Sequence, residues 1–268
     1  MEMPISLRGR KGVTLIELLV VLVISAILVA ALYRTFIGQQ KTYTVQEQVI
    51  DTQQNARVAM NKMIREIRQV GFGRVATVTN ALNPNSPGPG ALTIAMASGS
   101  TTLIEVLASN QIKVTNGTIF SSGLLSIDGV ESHALDVAHP PVKGGDNNYT
   151  VTLNPGETIL NSYSPNTPVY GIGTVSYQYD PLTLTITRDD GSGPQVLADN
   201  IESLQFTYYT SSTDEVGTGS PSDWRSIQRI RVTVTARTSM SDPDYKGGDG
   251  FRRRQITSYI KIRNPLSP

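Results

Sequence analysis

The stretch Arg8-Gly9-Arg10-Lys11-Gly12-Val13-Thr14-Leu15-Ile16-Glu17-Leu18-Leu19 decides how this chain is read. A basic leader ends at a glycine, and a long apolar run begins at the next residue. From Val13 to Leu32 only Thr14, Glu17 and Ser25 are polar. Wound as an α-helix, such a run spans roughly 30 Å, the thickness of a bilayer core. Arg8, Arg10 and Lys11 are expected to stay on the cytoplasmic side and to leave the C-terminal bulk outside. Glu17 is the anomaly, because a carboxylate in a membrane helix is costly and asks for a partner.

The order of features differs from an ordinary secretory signal, in which small residues follow the apolar region. Here the small residue precedes it, so a cut after Gly12 keeps the helix in the mature protein. The cut also creates a cationic amine at Val13, one helical turn from a Glu17 side chain. In a helical stack of subunits, the Val13 amine of one chain can neutralise Glu17 of its neighbour, in dry surroundings that screen the attraction little. The blander alternative is a single-pass anchor with a tolerated acid near the interface.

The run Lys11-Gly12-Val13-Thr14-Leu15-Ile16-Glu17-Leu18-Leu19-Val20-Val21 resembles the class III (prepilin) signal of type IV pilins and type II secretion pseudopilins. The resemblance implies that Gly12 precedes the cut made by a membrane-embedded prepilin peptidase. It implies N-methylation of Val13 and a role for Glu17 in docking into a growing filament. It also implies a pilin-like α+β fold, in which a long N-terminal helix packs on an antiparallel sheet. The family usually has Phe where this chain has Val13.

The chain has 268 residues and a formal net charge of +1. The leader 1–12 holds three basic residues and Glu2, so its removal leaves 20 basic against 21 acidic residues and a net charge of −1. That balance points to no general affinity for nucleic acid. The one basic run, Arg252-Arg253-Arg254, reads as a solvated strand end. With no cysteine, an exported domain must be held by its own core rather than by disulfides. Many major pilins carry a C-terminal disulfide loop, so this composition leans away from a major subunit.

The division expected is a cleaved leader (1–12), a membrane and filament-core helix (13–38), an amphipathic half of the same helix (39–73) and a β-rich domain (74–268). Val45, Val49, Ala56, Met60, Met63, Ile67 and Val70 recur at helical spacing, with Arg57, Lys62, Arg65, Glu66 and Arg68 mostly off that stripe. Gly71 and Gly73 supply a stop near Val70. At 1.5 Å per residue the helix reaches about 85 Å. Gly38 is a plausible soft point, and no proline interrupts the helix. A coiled-coil seam is the alternative to packing on a sheet.

Residues 83–90 read as a loop. Strand candidates follow at Leu92–Met96, Thr102–Leu107, Ile112–Thr115, Tyr149–Leu153 and Val169–Gln178. The region 91–165 is rich in Gly, Asn, Ser and Pro, and some of it reads as an irregular insertion. A hairpin is expected from Thr174–Tyr179 and Leu182–Thr187 around Asp180-Pro181. Ile201–Tyr209 forms another strand, and Thr210–Asp223 a polar loop. Ile230, Val232, Val234 and Ala236 alternate with polar residues, as do Ile256, Ile260 and Ile262, so one sheet face is buried and the other wet.

The C-terminal third, with Val196-Leu197-Ala198-Asp199-Asn200-Ile201, Trp224–Val232 and Tyr259-Ile260-Lys261-Ile262-Arg263-Asn264, resembles PilW-type minor pilins and pseudopilin J of type II secretion. The resemblance covers about residues 8–73 and 170–264. It implies a minor pilin in pilus assembly or initiation, within a tip complex. It implies other minor and major pilins, the inner-membrane assembly platform and sometimes an adhesin as partners. By that resemblance the subunit sits in the inner membrane with its domain in the periplasm, and reaches the cell surface after assembly. A type II secretion pseudopilin is one alternative, and a non-polymerising tethered binding domain or adhesin is another.

Asp242, Asp244 and Asp249 form an oxygen-rich loop of the kind that can hold calcium, but their spacing suits a glycine-rich turn better. His133 and His139 stand six apart in a loop-like region without cysteine ligands, which argues against zinc. No nucleophile elbow, phosphate loop or dinucleotide fingerprint is present. The expectation is a structural subunit, with no enzymatic activity and no cofactor.

Overall fold

A computed structural model of the chain describes residues 12–73, 82–84, 90–120, 123–210, 215–217 and 224–264. The chain divides into two compact units, Met1–Val49 and Ile50–Pro268. The boundary falls inside one long helix, α1 (Leu15–Ile67).

In the first unit α1 is unbroken and passes through Gly38, the expected soft point. Thr35, Thr42 and Thr44 return their hydroxyls to the carbonyls of Ala31, Gly38 and Gln40, at 3.1, 2.9 and 3.1 Å. This keeps small polar groups satisfied within the helix. The apolar residues from Val13 to Ile37 that the structure describes are exposed.

In the second unit the helix is amphipathic. Ala56, Ala59, Met60, Met63 and Ile67 are buried at spacings of three and four. The helix ends at Ile67, three residues before the expected Val70, and a turn continues to Gly73. Gly71 and Gly73 have φ of 73° and 77°. A Cβ on Gly73 would lie 2.6 Å from that of Ala97, so only glycine fits both the conformation and the space.

The strands among the described residues are β1 (Leu82–Pro84), β2 (Leu92–Ala108), β3 (Gln111–Val114), β4 (Leu124–Ile127), β5 (Glu131–Ala134), β6 (Val142–Lys143), β7 (Tyr149–Thr152), β8 (Pro168–Asp180), β9 (Thr185–Asp189), β10 (Gln195–Ala198), β11 (Ile201–Tyr209), β12 (Glu215–Gly217), β13 (Arg229–Arg237) and β14 (Arg253–Lys261). They form two antiparallel sheets rather than one. The larger follows the order β10-β9-β8-β2-β3-β7-β6, with β1 on β2 and the β4–β5 hairpin on β8. The smaller runs β12-β11-β13-β14.

Several expectations need correction. The two strands expected at 92–96 and 102–107 are one strand, β2. The gap left between them, which contains Ser98-Gly99-Ser100, holds a bulge, where the register on β8 shifts between Ala97 and Gly99. The turn of the β8–β9 hairpin covers residues 181–184 rather than two residues. Within the expected polar loop 210–223, β12 pairs with β11, and residues 211–214 and 218–223 lie outside those described. Likewise 82–84 pair with β2, while 85–89 lie outside.

The main core joins Ala56, Met60, Met63 and Ile67 of α1 to Leu92 and Ile94 of β2, Tyr177 of β8, and Ile230, Val232 and Val234 of β13. The helix therefore packs on sheet residues, which answers the coiled-coil alternative. Each large side chain buried this way contributes about 1.5–3 kcal/mol, far more than helix propensity does. Part of the stretch 91–165 is irregular, residues 154–165 included, but the stretch as a whole is not. It builds a second core from Leu103, Ile112, Val114, Leu125, Ile127, Leu135, Val151 and Leu153.

A polar clamp fastens the helix to the larger sheet. Glu66 is buried, although its sequence position puts it off the apolar stripe. It accepts hydrogen bonds from the Tyr177 hydroxyl and from Arg188 Nε at 3.1 Å, and it pairs with Lys62 at 2.9 Å. Burial pushes the Glu66 carboxyl up, but the Arg188, Tyr177 and Lys62 contacts outweigh it and hold the group below the usual carboxylate range. At the far end, Asn264 Nδ2 donates to the Val70 carbonyl at 3.0 Å, so Asn264 ties the turn after the helix to the segment following β14.

Candidate assembly site at the helix N-terminus

Thr14 is the N-cap of α1. Its carbonyl accepts the first helical bond from Leu18 N at 3.2 Å, and its hydroxyl accepts from Glu17 N at 3.3 Å. Glu17 Oε2 reaches back to accept from Thr14 N at 3.0 Å and from Thr14 Oγ1 at 3.1 Å. This is a reciprocal capping box. The carboxylate also sits in the first turn, where the aligned peptide dipoles favour negative charge. Glu17 is therefore held within its own chain, through a Thr-x-x-Glu spacing that the sequence itself displays as a capping signal.

Gly12 and Val13 precede the first turn, outside any regular element. No atom lies within 4 Å of the space a Gly12 Cβ would take, and Val13 is 75% exposed. Among the described residues the junction is sterically open, with nothing that excludes a larger residue at Gly12. Arg8, Arg10 and Lys11 lie outside the described residues.

Beyond Glu17 the helix presents only apolar and small side chains to its surroundings as far as Leu32. The stretch is long and apolar enough to cross a membrane, and none of it is buried within the chain. An exposed apolar surface of this extent requires lipid or other helices around it.

Residues 7–33 match the family model described as the prokaryotic N-terminal methylation motif. The chain carries a prepilin-type N-terminus. That motif sits at the head of a helix long and apolar enough to cross a membrane. No curated protein matches it. Among solved structures, the type IV-like pilin TTHA1219 from Thermus thermophilus is similar at 9% identity and a TM-score of 0.33, covering 79% of this chain and 97% of that one.

The other candidate residues are engaged in other ways. Asp242 Oδ2 accepts from Arg252 Nη2 at 2.7 Å, and Asp249 pairs with Arg253 at 2.7 Å. Asp242 Oδ1 caps Asp244 N at 3.0 Å. The acids thus serve a turn and two arginines. The basic run opens β14 with Arg253 and Arg254 exposed, as a solvated strand end, and Arg253 there also meets Glu202 at 2.6 Å. His133 is not in a loop but in β5, buried between Glu131 and Glu157. His139 is exposed and pairs with Asp136 at 2.7 Å. Among the described residues no group of three or more His, Asp or Glu is arranged to hold a metal.

Proposed function

We propose that this chain is a minor pilin that takes part in assembling or initiating a type IV pilus, within a tip complex. The observation that carries this reading is the open Gly12-Val13 junction one helical turn from Glu17, at the head of an exposed apolar helix. A prepilin peptidase cuts at the junction, and the Val13 amine is methylated. The mature helix then leaves the inner membrane for the filament core.

In the free subunit Thr14 satisfies the Glu17 carboxylate. On docking, the cationic Val13 amine of a neighbour is the stronger partner, because a charge pair in dry surroundings outweighs a neutral hydroxyl. The exchange gives assembly a direction, since only a processed neighbour offers that amine. Arg8, Arg10 and Lys11 keep the unprocessed N-terminus cytoplasmic, which leaves the β-rich unit periplasmic. Its partners are other minor and major pilins, the assembly platform and, in some systems, an adhesin.

The test is a Glu17→Ala variant expressed in the native host. Normal cleavage with strong depletion from sheared pili is expected. Equal recovery of variant and wild type in sheared pili overturns the pairing mechanism. Deletion of the gene distinguishes a pilus from a secretion filament: loss of surface pili supports this reading, and intact pili with lost protein export favours a pseudopilin.

A further inference from the structure

We infer that the outer edge of β14 receives an extended, acidic segment of a different polypeptide, which adds a strand to the smaller sheet. This goes beyond the pairing at Glu17 and does not depend on it.

β14 ends the smaller sheet and pairs on one side with β13. Just beyond the two ends of that ladder, Thr238 N donates to Arg252 O at 2.9 Å and Ile262 N donates to Gln228 O at 3.0 Å. Between them the register runs without a shift. In an antiparallel ladder a residue turns its N–H and C=O to the same side, and that side alternates along the strand. Arg254, Ile256, Ser258 and Ile260 therefore bond to β13. Arg253, Gln255, Thr257, Tyr259 and Lys261 turn their main-chain groups away from the sheet. Among the described residues no hydrogen bond reaches those outward groups. The side chains of the same residues are exposed.

The other edge strands are short among the described residues. β10, β6 and β12 hold four, two and three residues, and β1 and β5 three and four. The register of β10 also shifts on its neighbour. Short or bulged edges are a way for sheets to avoid adding strands. β14 is nine residues long, with no proline and no bulge. Such an edge invites strand addition, in which main-chain bonds give affinity and the flanking side chains give selectivity.

Charge selects the occupant. From Phe251 to Asn264 the chain carries Arg252, Arg253, Arg254, Lys261 and Arg263, and no acid. Arg252 and Arg253 already meet Asp242 and Glu202. Arg254, Lys261 and Arg263 are exposed and make no ion pair among the described residues. Cations thus stand at both ends of the edge. A second β14 added in either direction sets cations against cations, which is unfavourable across paired strands. A segment with carboxylates at both ends and an uncharged middle meets them with opposite charge, and its middle lies along Gln255, Thr257 and Tyr259.

The test uses the full chain in detergent micelles and a fluorescein-labelled probe peptide, Glu-Glu-Thr-Val-Thr-Val-Thr-Glu-Glu, equal in length to β14. Fluorescence anisotropy should show saturable binding that weakens with added salt. Thr257→Pro removes one outward N–H and no bond to β13, a change that edge strands tolerate. It should keep the wild-type Tm and bind the probe about tenfold more weakly. Thr257→Ala keeps the N–H and should bind like the wild type. Absence of saturable binding, or equal affinity of Thr257→Pro and the wild type, overturns the docking edge.

Two further probes test the occupant. Glutamine in place of every glutamate should weaken binding by about tenfold, and equal binding overturns the acidic partner. A peptide with the β14 sequence should not bind. If it binds as tightly as the acidic probe, the edge serves copies of this chain and the proposal fails. Should Thr257→Pro not fold, probes N-methylated on either alternate set of amides are measured on the wild type. Loss of binding with at least one of them supports the edge, and unchanged binding with both overturns it.

Discussion

The same helix behaves in two ways on either side of residue 50. In the first unit Ile24, Leu28 and Leu32 are exposed, whereas in the second Met60, Met63 and Ile67 are almost fully buried. Among its described residues the first unit has no buried core, and its apolar surface is an unfilled requirement for lipid or other helices. The second carries two apolar cores and holds the buried Glu66 with partners of its own. A helix can thus serve as an interface along one part of its length and as a core element along another. Which it does depends on whether the same chain supplies the covering surface.

Substitutions can separate the two roles. The largest effect is expected from Gly12→Trp, which should abolish processing and leave the leader attached, as read by the intact mass of the membrane-extracted protein. Because the junction is open, thermal unfolding of the second unit should not change; a lowered Tm would mean that Gly12 matters for folding instead.

Met63→Ala should do the reverse. Emptying a fully buried methionine site costs about 2–5 kcal/mol. A clear drop in Tm by circular dichroism, with normal N-terminal cleavage, would keep the two units energetically distinct.

Arg188→Ala removes a main partner of a buried carboxylate and should cost about 3 kcal/mol. It should also change the pH dependence of stability. Because the folded-state pKa of Glu66 is depressed, its contribution is fully present above the ordinary glutamate pKa and is lost as pH falls through the folded value. Acid denaturation should therefore set in at higher pH for Arg188→Ala than for the wild type, and coincident acid transitions would count against the clamp.

The smallest effect belongs to Thr14→Ala. Losing an N-cap costs about 1 kcal/mol in soluble helices. In this chain the variant also frees Glu17, so it should leave cleavage intact and alter the rate of incorporation into filaments more than the Tm.

Much of this was legible from side-chain order alone. Helical spacing in 45–70 gave the buried stripe of Ala56, Met60, Met63 and Ile67, because a helix repeats its faces regardless of what covers them. Strict alternation gave β13 and its buried face for the same reason. Other features were hidden. Glu66 looked like a solvent residue until the β8–β9 hairpin brought Tyr177 and Arg188 to it across more than a hundred residues. Ser98-Gly99-Ser100 fell between two expected strands because glycine marks loops and bulges alike, and only pairing with β8 tells them apart. His133 seemed isolated because its partner Glu157 lies 24 residues away.

The amino-acid order by itself determined the membrane-length apolar helix, the position of Glu17 near its head and the alternating strands of the C-terminal sheet. These are local properties, fixed by which residues stand next to or one turn from each other. Tertiary structure alone decided that 91–165 forms a second core, that the strands divide into two sheets, and which charges are buried and with whom. Those outcomes depend on contacts between residues far apart in the chain, and a sequence does not display them until the backbone brings the residues together.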